Sequence, residues 1–181
     1  MALIQYFPGT KVPVSDECLL TGIFRVTSGI TLSQVCEITG LEPGTVQNWI
    51  KRGYVNPPVH RKYNKSQVAR IIIINMLRET LALEKIARIL SYVNGNLLDR
   101  SDDIMDDSEI YKCLCDILIP AEKRGIIDIR EMSALIDEYL TDFVEPYPGA
   151  KKKLELALRI IMCAWESAYF KRYAIHLAEG I

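Results

Sequence analysis

The stretch TLSQVCEITGLEPGTVQNWIKRG, residues 31–53, carries start and stop signals for two short helices, and it limits the fold more than any other part of the chain. Thr31 offers a hydroxyl N-cap, and Gln34 three residues later completes a capping box in which each side chain serves the other's backbone amide. Leu32, Val35 and Ile38 give an apolar stripe, and Gly40 stops the helix, because glycine takes left-handed backbone without a steric penalty. The second helix opens at Glu42-Pro43, where proline gives up an N–H that has no intrahelical partner anyway. Val46, Trp49 and Ile50, spaced i, i+3, i+4, bury one face. Gly44, Thr45, Gln47, Asn48, Lys51 and Arg52 are left mainly outside that stripe. Two short helices with a turn at Gly40-Leu41 have the dimensions of a helix-turn-helix.

The remainder reads as helix too. After Gly53 a turn passes through Pro57-Pro58 to the basic run His60-Arg61-Lys62, and Asn64 is placed to cap a helix from Lys65. That helix contains Ile71-Ile72-Ile73-Ile74, which propensity alone would assign to a strand. The flanks QVAR and NMLRE, with Val68, Ile71, Ile72 and Leu77 in step, predict a buried helix instead. Leu83 to Val93 forms another, closed by Asn94-Gly95. The acidic stretch DRSDDIMDD, which contains Asp99 to Asp107, reads as a solvated loop that caps a helix near 108–119, after which Pro120 predicts a break or kink. Met132, Leu135, Ile136, Tyr139 and Phe143 mark a helix at about 128–144. Pro146 and Pro148-Gly149 separate it from a last helix over 150–178. The expected class is all-α, in three segments: an arm over 1–30 with at most one short helix, a helix-turn-helix domain over 31–93, and a helical region over 94–181.

Charge is uneven along the chain. The net value of -1 conceals +5 over residues 31–90, -9 over 91–150 and +3 over 151–181. A basic segment next to an acidic one suggests that only the first faces a polyanion. The 49% apolar content suffices for one moderate domain or two small ones on a shared core, and nothing in the composition indicates disorder. The beginning MALIQYFPGT lacks a basic n-region and a long apolar core, and no stretch is apolar enough to span a membrane. Five cysteines (Cys18, Cys36, Cys113, Cys115 and Cys163) without framework spacing suggest reduced thiols and a cytoplasmic setting. Cys113 and Cys115, two apart on a helix, point in nearly opposite directions and are not expected to share a metal.

The segment TLSQVCEITGLEPGTVQNWIKRGYV resembles the opening of MerR-type winged-helix regulators. The similarity lies in Gln34-Val35, the Thr39-Gly40 turn, Pro43 and Thr45, and Gly53. Downstream, Arg61-Lys62-Tyr63 resembles the wing's basic residue and aromatic anchor, and Leu77-Arg78 with Leu83-Glu84-Lys85-Ile86 resembles the following helix pair. NWIKRGYVNPPVHRKYNKSQVARIIIINMLR and YVNGNLLDRSDDI are similar to an uncharacterised bacterial family, a domain of unknown function related to that superfamily, over about residues 30–118. The resemblance implies a MerR-like helix-turn-helix, and the seven residues between Gly53 and Arg61 imply a short or vestigial wing.

Thr45, Gln47 and Asn48 are the candidate base-reading residues, since amide side chains pair bidentately with adenine. Lys51, Arg52, His60, Arg61 and Lys62 suit phosphates, which supply affinity without direct sequence information. The expected function is sequence-specific binding of double-stranded DNA, hence transcription regulation. The alternative is a protein-interaction adaptor on a helix-turn-helix scaffold. The 94–181 region is expected to bind a partner, either a small-molecule effector or a second copy. Leu154, Leu158, Ile161, Trp165 and Tyr169 are the candidate homodimer face, although the same stripe would equally cover the protein's own core. No phosphate-binding loop, metal-ligand cluster or catalytic constellation is apparent, so neither enzyme activity nor a cofactor is expected.

Overall fold

The computed structural model describes residues 6–15, 17–95, 103–123 and 128–180. Among them the chain forms α1 (Leu19–Phe24), α2 (Leu32–Thr39), α3 (Pro43–Lys51), α4 (Lys65–Leu77), α5 (Leu83–Asn94), α6 (Asp107–Lys123), α7 (Ile129–Tyr139) and α8 (Ala150–Ala178), with only isolated β-bridges. The all-α expectation holds.

α4 is the axis around which the rest is arranged. Ten of its 13 residues are buried, and Ile71 to Ile74 are each at most 2% exposed. Arm, α1, α2, α5, α6 and α8 surround it, so an element that is apolar on nearly every side finds cover on every side. The Asn64–Gln67 capping box starts it as a helix, and all-round burial then outweighs the strand preference of four isoleucines. The core is one continuous cluster, from Phe7 in the arm to Trp165 in α8.

The arm belongs to this core. Phe7 is buried, the Lys11 amide donates to the Ile38 carbonyl at 2.7 Å, and the Tyr111 hydroxyl donates to the Pro8 carbonyl at 3.0 Å. Gly9 has φ +73°, and a Cβ there would stand 2.5 Å from the Ile72 carbonyl oxygen, so only glycine allows the arm this close to α4.

Two boundaries differ from the sequence reading, and of the two uses expected of the α8 stripe the structure shows the interior one. α6 continues through Pro120 to Lys123: the ring removes one N–H donor near the helix end, and the interior face around Leu118 and Ala121 stays packed. α7 ends at Tyr139 with Leu140 as its C-cap, short of the expected 144. The proposed dimer stripe is interior: Leu154, Leu158 and Ile161 are at most 1% exposed and Trp165 is 8% exposed, packed with α4, α5 and α7. The adjoining helices cover these side chains. Only beyond Tyr169 does α8 leave the body, and residues 170–180 are exposed.

Candidate nucleic-acid interface

α2 and α3 form as the local signals require. Thr31 and Gln34 make the reciprocal capping box, and Gly40, at φ +71°, ends α2 in left-handed backbone. Pro43 opens α3, whose Val46 and Trp49 are 0% and 2% exposed. At its far end the Tyr54 amide donates to the Trp49 carbonyl and the Gly53 amide to the Ile50 carbonyl, both at 2.9 Å, a Schellman closure. Burying Val46 and Trp49 turns Gln47, Asn48 and Lys51 to solvent, while Thr45 is half-buried. Among the described residues neither amide side chain, Gln47 nor Asn48, makes a hydrogen bond to protein.

Beside α3 the chain makes a two-residue hairpin. Val59 and Lys62 exchange backbone bonds at 3.1 and 2.9 Å, and Ile30 and Tyr63 do so at 3.0 and 2.7 Å. His60 and Arg61 occupy the turn with φ of +49° and +61°. Both values positive is the type I′ pattern, for which asparagine and glycine are the favoured residues. Gly29 allows the close approach of the flanking chain, since a Cβ there would lie 2.9 Å from the Cβ of Lys62. His60, Arg61 and Lys62 are all exposed, and Tyr63 behind them is buried.

The loop joining α3 to this hairpin is held from below. Gln67 donates through Nε2 to the carbonyls of Asn56 (3.1 Å) and Pro57 (2.8 Å), and Arg70 donates through Nε to the Tyr54 carbonyl at 2.8 Å. The same guanidinium reaches Asp107, with Nη1 at 3.0 Å from Oδ2 and 3.3 Å from Oδ1. Asn94 Nδ2 donates to Asp107 Oδ1 at 3.2 Å. Arg70 is 3% exposed and Asp107 7%. Burial pushes the Asp107 carboxyl above its ordinary range, and the Arg70 guanidinium pulls it back.

This cluster corrects two expectations. Arg70 belongs to the basic stretch but faces an interior carboxylate instead of a polyanion. Asp107 belongs to the acidic stretch but is no solvated loop residue, while Asp99 to Asp102 lie outside the described residues. Asp106 does cap α6, accepting from the Ser108 amide at 2.8 Å. The sequence signal for the cluster was available: a lone arginine in an apolar helix must find a partner. Its identity could not be read off, because it comes from 37 residues away.

Of the proposed phosphate-contacting residues, Lys51, His60, Arg61 and Lys62 are exposed, and so is Arg52. Arg52 is engaged, however. Its Nη2 lies 2.5 Å from Glu84 Oε1 and donates to the Tyr54 hydroxyl at 2.9 Å, and its guanidinium lies 4.8 Å from the Tyr54 ring centre. Tyr54 in turn donates to Glu84 at 3.0 Å. Cys113 and Cys115 are both buried, and burial pushes each thiol up to about 12. Among the described residues no cluster of His, Cys, Asp and Glu could hold a metal ion, and no helix is long and apolar enough to cross a membrane.

The Arg70–Asp107 pair thus ties together the loop after α3, α4, the end of α5 and the start of α6. Residues 27–114 match the family model described as a domain of unknown function, DUF1836. The matched stretch begins before Ile30 and ends beyond Asp107, so it includes both the hairpin's pairing partner and the buried ion pair. The chain is also 29% identical over 93 residues to the uncharacterized protein YkrK of Bacillus subtilis (strain 168), over 49% of this chain and 40% of the relative. The similarity thus spans well under two thirds of that relative's length. No solved structure matches the chain.

Proposed function

We propose that α3 and the hairpin form a DNA-reading head of MerR-like, winged helix-turn-helix type, and that the protein is a sequence-specific transcription regulator. The observation that carries this reading is the hairpin turn. A two-residue turn with both φ values positive favours Asn-Gly, and a left-handed conformation costs about 1–2 kcal/mol for an ordinary residue. This chain places His60 and Arg61 there and follows them with Lys62. Strain kept at an exposed basic tip, next to a helix with free amide side chains, suits a wing that meets phosphates beside a helix in the major groove. In this arrangement Thr45, Gln47 and Asn48 read base edges, and Lys51, His60, Arg61 and Lys62 meet the backbone. Arg52 joins them only by leaving Glu84. Two copies on half-sites roughly 34 Å apart would enlarge a small contact surface.

The pairing of Arg52 with Glu84 favours the second reading, an adaptor in which the helix-turn-helix is a protein-binding scaffold, because it removes one cation from the candidate face. Fluorescence anisotropy separates the two. Gln47→Ala or Asn48→Ala should cost about 1–3 kcal/mol on a selected site and leave random duplexes unaffected. Arg61→Ala or Lys62→Ala should weaken all duplexes about equally and flatten the log K against log salt slope by roughly one unit. Folded wild type that ignores a random-duplex pool at low salt would replace the DNA reading with the adaptor.

A further inference from the structure

A groove of about 940 Å³ lies away from the buried ion pair, where four parts of the chain meet: the arm, the turn after α2, the end of α4 and the last turns of α8. Its volume is in the range of small-molecule sites, roughly 300–1,000 Å³. Phe7, Met76, Trp165 and Tyr169 supply apolar and aromatic wall, and the rings of Trp165 and Tyr169 stack at 6.0 Å between centres. On α8, Trp165, Tyr169, Arg172 and His176 are spaced to share one face, so the part of the helix that leaves the body still forms one side of the groove.

The charges in the groove are lopsided. Lys11, Arg78 and Arg172 line it, with His176 near them, against the single carboxylate of Glu79. Glu79 is already paired, at 3.0 Å from Arg172. Among the described residues Lys11 and Arg78 make no ion pair, and both are exposed. Two uncompensated cations beside aromatic wall call for a ligand with one flat apolar part and one negative charge.

We propose that this groove binds a small organic anion with a planar apolar body, an aryl carboxylate or aryl sulfonate, its body against Trp165 and Tyr169 and its charge toward Lys11 and Arg78. Thr39 and Gly40 also line the groove, and Asn75 Nδ2 donates to both the Gly9 carbonyl (2.9 Å) and the Thr39 carbonyl (3.1 Å). An occupant therefore touches the turn that sets α2 against α3. Any influence on DNA rests on the function proposed above; the site itself does not.

The test is calorimetric titration of the full chain, without DNA, with three probes of one shape: 2-naphthoate, 2-naphthamide and 2-naphthylmethylammonium. The naphthoate should bind at one per chain and at least about tenfold more tightly than the other two. Arg78→Glu and Lys11→Glu, both at exposed side chains, should each weaken naphthoate about tenfold or more and leave naphthamide within about twofold. Arg88→Glu, a charge reversal on α5 outside the groove, should change neither. Equal binding of all three probes, no binding, or indifference of naphthoate to both groove reversals would overturn the proposal. So would light scattering that shows a dimer dissociated by the probes, since the groove would then be an interface between copies. Because no DNA is present, failure here leaves the DNA reading standing, and failure of DNA binding leaves this titration intact.

Discussion

Lys51, Arg61 and Lys62 stand in solvent on α3 and its hairpin, whereas Arg70, from the same basic stretch, is 3% exposed between α4 and α6. The exposed group keeps its cations without interior partners. The interior group saturates its arginine with a carboxylate, a backbone carbonyl and, through Asp107, the Asn94 amide. Net charge along the sequence treats the two alike, yet only the first can meet a polyanion. The difference teaches that a basic segment has two uses here: some cations form a candidate reading surface, and one fastens that surface to the rest of the molecule. Arg70 grips the loop after α3 at Tyr54, and Gln67 grips it at Asn56 and Pro57, so two buried side chains hold the loop that leads from α3 to the hairpin.

The largest test removes half of the interior pair. Arg70→Ala or Asp107→Ala should destabilise the fold by about 3–5 kcal/mol, because the surviving charge is left buried and alone. Arg70→Met with Asp107→Leu should recover part of that loss, since no lone charge stays buried, while the Tyr54 carbonyl and the Asn94 amide still lose their partners. Urea denaturation reads both. If the single variants cost as little as surface changes, the two arginine environments do not differ as described.

The interior also responds to base. The folded Cys113 and Cys115 thiols titrate at about 12 and an unperturbed thiol at 9.0, so the folded chain holds protons that the unfolded chain has released. The contribution of these thiols is fully present below pH 9 and is lost as pH rises toward 12. Tyr111 and Tyr139, also raised by burial, act in the same direction. Unfolding midpoints should fall across that window, and less steeply in Cys113→Ala/Cys115→Ala; native iodoacetamide labelling should spare both thiols.

On the exposed side, effects should be smaller and divide between stability and binding. His60→Asn with Arg61→Gly installs the favoured turn residues and should raise stability by about 1 kcal/mol. The same pair should lower affinity for all duplexes if the tip meets phosphate. A rise in stability with unchanged DNA affinity would remove the functional account of the strained turn. The smallest effect belongs to Arg52 and Glu84: the coupling energy of their exposed pair in a double-mutant cycle should lie within about 0–1 kcal/mol and shrink with salt. If Arg52 is drawn to phosphate when DNA binds, Glu84→Ala should strengthen binding modestly by freeing it.

Much of the helical framework was legible because its signals are local. The Thr31–Gln34 box, Gly40, Pro43, Gly53 and Asn64 each act within one turn of themselves, and the structure uses every one of them. The exposed candidates Gln47, Asn48 and Lys51 were equally legible, since burying Val46 and Trp49 leaves them outside. At Pro120 the helix does not break, because packing on either side of the missing donor persists.

By itself the sequence determined where the helices start, where most of them stop and that the class is all-α, since capping, turn chemistry and periodicity require only neighbours along the chain. Tertiary structure decided which side of each helix is used. It put the Leu154–Trp165 stripe into the protein's own core and joined Arg70 to Asp107 across 37 residues. The physical reason is the same in each case. Burial and ion pairing depend on which surfaces the fold brings against a given apolar or charged group, and those surfaces come from parts of the chain that no local pattern connects.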